Sequence, residues 1–185
     1  FSSPESLELS QEMRADSMAI LVGINTIIRD DPSLTVRGID IHPRGPPTRV
    51  VVDPDGRIPT DSRVLTDGMA PTMLINSSEF ESSGDHGHVE RVLIPESEIP
   101  VARILDMLGD RGVQSLLVEG GADTWRRFLS EGAVDRARVC VSPVALTGDS
   151  PRFHSKDLSE YGMGILSETE ASGDRIEWWV RKTGD

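Results

Sequence analysis

Short apolar runs alternate along this 185-residue chain with polar stretches rich in glycine and proline, and their spacing sets the expected order of elements. Met18 to Gly23 is a continuous apolar run ended by glycine, as expected of a strand covered on both faces. Thr48 to Asp53 is a second, β-branched run, followed by the turn-like Pro54-Asp55-Gly56. Pro71 to Asn76 and Val89 to Ile94 read as further strands flanking a Ser/Gly/His-rich loop from Ser77 to His88, and Ser115 to Val118 as a buried strand. Helical spacing of apolar residues falls between them, over Val101 to Leu108 with stops at Gly109 and Gly112, and over Thr124 to Glu131. Ahead of the first strand, Ser2-Ser3-Pro4-Glu5 opens a helix to about Ala15, with a capping box from Ser2 to Glu5. Leu34-Thr35-Val36 is a brief extended piece after the break at Asp30-Asp31-Pro32, and Pro43 to Pro47 is a loop. Val134 to Val144 is a longer strand, leading to a loop around Thr147-Gly148-Asp149. Ile165-Leu166 and Ile176 to Val180 make a closing hairpin that turns at Ser172-Gly173-Asp174. This alternation predicts an α/β fold: a mostly parallel sheet with helices on both faces and antiparallel strands at the C-terminal end.

Composition narrows the function. The length and 37% hydrophobic content suit a single domain over residues 1–185. No apolar run approaches the roughly 20 residues that span a bilayer, and no basic-then-apolar leader is seen, so a soluble, cytoplasmic protein is expected. With 31 acidic against 19 basic residues, a net charge of −12 argues against nucleic acid as a partner. An anionic ligand must then be held by local arginines and helix N-termini. Cys140 lies in the alternating run Ala137 to Val141 and reads as a structural thiol. His42, His86, His88 and His154 lack metal-ligand spacing, and no metal is expected. Trp125, Trp178 and Trp179 read as core or edge packing. Neither a nucleophile elbow nor a Walker loop is present.

Two segments carry candidate chemistry. Val118-Glu119-Gly120-Gly121-Ala122 runs from a strand through two glycines into a helix, which lets backbone approach an anion closely and aims the helix N-terminus at it. Its plain alternative is a turn that needs flexible φ angles. Glu119, at the strand's end, could accept hydrogen bonds from sugar hydroxyls or a ring amine. The stretch from Gly23 to Arg37 brings Thr26, Asp30, Asp31 and Arg37 into one connection at a strand's C-terminal edge. An Asx-type turn before Pro32 would account for one Asp of that pair.

Taken in order, these segments resemble the reductase of riboflavin biosynthesis, known both as the C-terminal domain of bacterial bifunctional deaminase/reductases and as a stand-alone archaeal enzyme. The resemblance rests on Arg14-Ala15-Asp16 before Val22-Gly23, on Thr26 with Asp30-Asp31-Pro32, and on Leu34-Thr35-Val36-Arg37. Arg49 to Asp53, Leu117 to Gly121, and Val134-Asp135 leading to Ser142-Pro143 complete it. It implies a dihydrofolate-reductase-like fold and NADPH-dependent reduction of the ribose of a (di)amino-ribosylaminopyrimidinone 5′-phosphate to the ribityl product. Thr26 and Asp30 are then cofactor contacts, and Gly120, Gly121, Ala122, Asp123 and Thr124 form the cradle for the cofactor phosphates. Arg14, Leu34, Arg37 and Glu119 are substrate contacts, and no residue is assigned as a covalent nucleophile or general acid. The resemblance also implies a homodimer, with the Val134 to Val144 strand as a possible interface, and the stand-alone layout favours the diamino substrate. Family members carry an opening strand with a Leu-Asp-Gly-Lys-like segment, which nothing here matches, so the domain is expected to lack that strand. A non-catalytic nucleotide-binding or assembly module, and a pterin reductase of the same fold, are the alternatives.

Overall fold

The computed structural model describes residues 3–79, 87–143 and 154–182. Two compact units make up the chain, one of residues 11–125 and one of residues 1–10 with 126–185.

The first unit is built on five parallel strands: β1 (Ala19–Gly23), β2 (Thr48–Val52), β3 (Thr72–Asn76), β4 (Val89–Leu93) and β5 (Leu116–Val118). They lie in the order β4-β3-β2-β1-β5. Successive strand residues face opposite sides of a sheet, yet Ile20 and Leu21, Val50 and Val51, and Leu74 and Ile75 are all fully buried. Both faces of β1 to β3 are therefore covered, as the continuous apolar runs predict. On one face Ile20, Val22, Val51 and Leu74 pack with Ile24 and Ile27 of α2 (Ile24–Asp30), Val64 and Leu65 of α3 (Arg63–Thr66), and Leu34. Elsewhere in this unit, α4 (Val101–Asp110) buries Val101, Ile104 and Leu108, the i, i+3, i+7 stripe of an amphipathic helix.

Arg49 is the exception in the core. It is fully buried in β2, and Nη1 reaches both oxygens of Asp67 at 2.8 and 2.9 Å. Nε donates to Thr72 Oγ1, and the remaining guanidinium protons go to the carbonyls of Ser33, Val64 and Ala70. A buried charge is tolerable only when so fully hydrogen-bonded. Here it fastens the loop at Ser33 to α3 and β3.

In the second unit, β6 (Arg136–Val141), β7 (Met163–Ala171) and β8 (Asp174–Arg181) form an antiparallel sheet in the order β6-β8-β7. Ser172 (φ 47°) and Gly173 (φ 90°) make the two-residue turn of the β7–β8 hairpin, where the sequence places it. Trp179 is buried, and its Nε1 donates to Glu177 Oε2 at 3.0 Å, a packing role as expected.

Several boundaries differ from the sequence reading. At the start of helix α1 (Pro4–Asp16), Ser3 Oγ accepts the Ser6 N–H at 3.1 Å, the capping bond, while Ser2, the cap expected from the sequence, lies outside the described residues. The connection after β1 is helix α2, and Leu34, at φ 50°, is not extended. Helix α4 runs through Gly109 to Asp110, while α5 (Ala122–Ser130) starts two residues earlier than Thr124. β5 is not a buried strand: it is an edge of its sheet among the described residues, three residues long and half-buried throughout. α3 and a 3-10 helix over Ser155–Tyr161 are additions. His86, Val144 and the loop around Thr147-Gly148-Asp149 lie outside the described residues. No described helix is long and apolar enough to cross a membrane.

Candidate active site

From β1 the chain steps outward through β2, β3 and β4, then returns to place β5 on the opposite side of β1. The direction of winding reverses between β1 and β5, and open parallel sheets bind ligands in the crevice at the C-terminal ends of such strands. Both ends are level there, since Leu21 pairs with Val118 and the Glu119 N–H donates to the Leu21 carbonyl at 2.9 Å. Helix α2 leaves the end of β1 and helix α5 leaves the end of β5. The two candidate segments of the sequence thus meet at one place.

They interlock through two glycine–threonine contacts. A Cβ on Gly120 would lie 2.6 Å from Thr26 Oγ1, and one on Gly23 would lie 2.6 Å from Thr124 Oγ1. Real side chains cannot approach that closely, so both positions require glycine, and Gly120 requires it twice because its φ is 107°. Thr26 is buried, and its Oγ1 accepts the Gly121 N–H at 3.2 Å. Beyond that atom, 4.0 Å away, nothing among the described residues lies within van der Waals reach of where a Gly121 Cβ would point. A ligand can therefore come up against the Gly121 backbone, beside the start of α5 with Ala122, Asp123 and Thr124. Asp123 is exposed, so its backbone N–H, not its carboxylate, suits an anion there.

Arg14, in the last turn of α1, grips Glu119 in a fork: Nε to Oε1 at 2.8 Å and Nη2 to Oε2 at 2.7 Å. Hydrogen bonding to Glu119 raises the pKa of the Arg14 guanidinium further above its ordinary value, against the opposing effect of burial. Each Glu119 oxygen keeps a lone pair for a second donor. Arg14 Nη1 also donates to the Thr35 carbonyl at 3.1 Å, and Arg49 Nη1 to the Ser33 carbonyl at 3.2 Å. These two bonds bracket Leu34, whose left-handed backbone is costly for a branched side chain. Its side chain lies in the core, so what Leu34 offers a ligand is backbone.

Arg37 is exposed, with Nη2 on Ser33 Oγ at 2.8 Å, Nε on Thr35 Oγ1 at 3.3 Å, and no carboxylate partner among the described residues. Asp30 ends α2, exposed and paired with Arg29 at 2.8 Å, and that bond holds its carboxyl below the ordinary value. Asp31 takes the structural part foreseen for one of the pair: its Oδ1 accepts the Arg63 N–H at 2.9 Å, tying the end of α2 to the start of α3. Arg57 and Asn25, which sequence patterns did not single out, join the same edge, with Arg57 Nη2 donating to Asn25 Oδ1 at 3.1 Å. Only the position of Arg57 just past β2 could have drawn attention to it.

The donor set suits a phosphorylated nucleotide at Gly121 and α5, and a second anionic, polar ligand near Arg14, Arg37 and Glu119. No group of three or more His, Cys, Asp or Glu among the described residues is placed to hold a metal.

A 2,5-diamino-6-ribosylamino-4(3H)-pyrimidinone 5′-phosphate reductase from Methanothermobacter thermautotrophicus is 36% identical over 154 residues, which cover 82% of this chain and 71% of that protein. The riboflavin biosynthesis protein RibD of Aquifex aeolicus is 34% identical over 169 residues, 91% of this chain and 45% of that one. Among solved structures, a deaminase/5-amino-6-(5-phosphoribosylamino)uracil reductase from Thermotoga maritima superposes with a TM-score of 0.77 at 23% identity. That match covers 97% of this chain and 50% of the other, so this chain spans about half the length of the bifunctional proteins. It shows the fold to be the dihydrofolate-reductase-like one, a mostly parallel sheet with antiparallel C-terminal strands. The RibD C-terminal domain family matches residues 1–170, and the chain belongs to that family.

Proposed function

We propose that residues 1–185 form one reductase domain of riboflavin biosynthesis that uses NADPH to reduce the ribose of a (di)amino-ribosylaminopyrimidinone 5′-phosphate to the ribityl product. The observation that carries this reading is the interlocked edge at β1 and β5, where the Gly120-Gly121 turn and the Arg14–Glu119 fork stand side by side in one compact unit. Relatives named as reductases of this pathway favour catalysis over a non-catalytic module.

NADPH supplies, when bound, the hydride that turns C1′ of the sugar into a methylene. Its phosphates would be held by the backbone N–H groups of Ala122 and Asp123 at the start of α5, against the Gly121 peptide that Thr26 fixes, with Thr124 packed on the neighbouring turn and Asp30 at the rim. Thr26 Oγ1 keeps the Gly121 peptide in one orientation, so the cradle is formed before the ligand arrives. Arg14 orients the Glu119 carboxylate, which accepts hydrogen bonds from the substrate's ring amine or ribose hydroxyls. Arg37 supplies a cation for the 5′-phosphate, and the backbone at Leu34 lines the same side. The protein aligns donor and acceptor carbons and forms no covalent bond with the substrate. The domain acts as a cytoplasmic homodimer.

Steady-state assay of NADPH oxidation, with the diamino and the deaminated phosphoribosyl compounds as separate substrates, tests the proposal. Turnover of the diamino compound is expected; turnover of neither overturns it.

A further inference from the structure

No backbone group of residues 33–37 bonds to another backbone group among the described residues. Side chains hold the segment instead, one at every second residue. Arg49 Nη1 donates to the Ser33 carbonyl at 3.2 Å, Arg14 Nη1 donates to the Thr35 carbonyl at 3.1 Å, and the Arg37 N–H donates to Gln11 Oε1 at 2.8 Å. The two arginines already have parts, one in the core and one in the grip on Glu119; Gln11 has none. We infer that Gln11 is a positioning residue for the substrate, which fixes the Arg37 backbone so that the Arg37 guanidinium meets the 5′-phosphate. This inference rests on the reductase reading above.

Gln11 lies three residues before Arg14 on α1, and residues so spaced share one face of a helix. That face grips the segment twice, once at a carbonyl and once at an N–H. Between Ser33 and Thr35, Leu34 keeps a left-handed backbone (φ 50°), and such a conformation persists only where its surroundings over-determine it. Residues 38–41 make no hydrogen bond among the described residues, so the Gln11 bond is the last hold on the chain before a run without one. The Arg37 side chain lies back over its own segment, with Nη2 on Ser33 Oγ at 2.8 Å and Nε on Thr35 Oγ1 at 3.3 Å, and Ser33 and Thr35 are both buried. Nη1 has no hydrogen-bond partner among the described residues. With that seat set in the core, the Arg37 backbone decides whether the guanidinium reaches it, and Gln11 holds the backbone at the amide. An arginine already held loses less rotamer freedom when it takes up a phosphate.

Initial rates of NADPH oxidation with the diamino-ribosylaminopyrimidinone 5′-phosphate test this for wild type, Gln11→Ala, Gln11→Met, Arg37→Ala and the two double variants. Gln11→Met keeps the length and helix propensity of the side chain but has no oxygen to accept the Arg37 N–H. Both Gln11 variants are expected to raise KM for the pyrimidine about three- to tenfold, with kcat and KM for NADPH changed less than about twofold. Arg37→Ala keeps the amide that Gln11 holds and loses only the guanidinium. In that background either Gln11 substitution should add less than about twofold to KM, because the group it positions is gone. A KM penalty of the same size with and without Arg37, a fall in kcat in place of the KM rise, or no penalty in a folded Gln11→Met overturns the inference and leaves the reductase reading standing. Failure of both Gln11 variants to fold makes the bond one of stability and overturns it as well. A wild-type chain that does not turn over overturns both readings.

Discussion

At the residue scale, the site depends on close approaches that tolerate no extra atom. Gly120→Ala places a methyl 2.6 Å from Thr26 Oγ1 at a φ of 107°, and should cost about 1–3 kcal/mol of stability in urea unfolding. Combining it with Thr26→Ala removes the steric part, so the double variant should lose less than the sum of the singles. Glu119→Gln keeps the shape but not the charge. NADPH affinity should be unchanged while KM for the pyrimidine rises about tenfold or more, measured by initial rates. At Arg49 the consequence is structural: Asp67→Ala leaves a fully buried guanidinium short of its counter-charge and should destabilise by about 3–5 kcal/mol. The paired glycines were legible in the sequence because glycine is nearly the only residue that fits such a turn. Arg49 was not, because one arginine in a β-branched run looks like the outward-facing residue of an alternating strand. Nothing local announces that Asp67 and the carbonyls of Ser33, Val64 and Ala70 converge on it.

Among elements, the strands were the most legible. Met18 to Gly23 and the β-branched Val50 to Val52 are unbroken apolar runs because β1 and β2 are covered on both faces. Helix α2 escaped notice for the opposite reason. Ile-Asn-Thr-Ile-Ile is poor in helix formers and its N-cap is Gly23, with no side-chain cap, so the helix owes its existence to Ile24 and Ile27 packing into the core. β5 misled in another way: Leu116-Leu117-Val118 has the composition of a central strand, while its neighbours set its actual burial. The start of α1 is fixed by Asp174 at the head of β8, whose Oδ2 accepts the Ser3 N–H at 2.7 Å and the Ser6 hydroxyl at 2.8 Å. Those bonds, led by the one from the Ser3 backbone, hold the Asp174 carboxyl below its ordinary value. A depressed carboxyl contributes stability above its unfolded pKa and loses it as pH falls through the folded one. Acid unfolding followed by circular dichroism should therefore show Asp174→Asn less stable than wild type at neutral pH, with the difference narrowing below about pH 4.

At the scale of the whole molecule, the parallel unit from 11 to 125 contains every site residue, apart from the end of α5, in one continuous stretch of chain. Its connectivity, outward from β1 to β4 and back to β5, creates the reversal at which Thr26, Glu119 and Gly121 meet. That order of strands is not written in any local pattern, and only the resemblance of several segments together anticipated the meeting. The overall charge of −12 repels an anionic cofactor and an anionic substrate alike, so the local cations and helix start must outweigh it. In the reading proposed above, Gly121 is the floor of the cofactor phosphate cradle. The most direct test is NADPH oxidation in the presence of the diamino-ribosylaminopyrimidinone 5′-phosphate, compared between wild type and Gly121→Asp. The added side chain has room to fold, with only Thr26 Oγ1 near its Cβ at 4.0 Å, but sets a carboxylate against the phosphates. Wild type should turn over, and a folded Gly121→Asp should lose about a hundredfold or more in kcat/KM. Turnover that ignores the substitution would rule out Gly121 as that floor, and a wild-type chain that does not oxidise NADPH with this substrate would rule out the reductase reading.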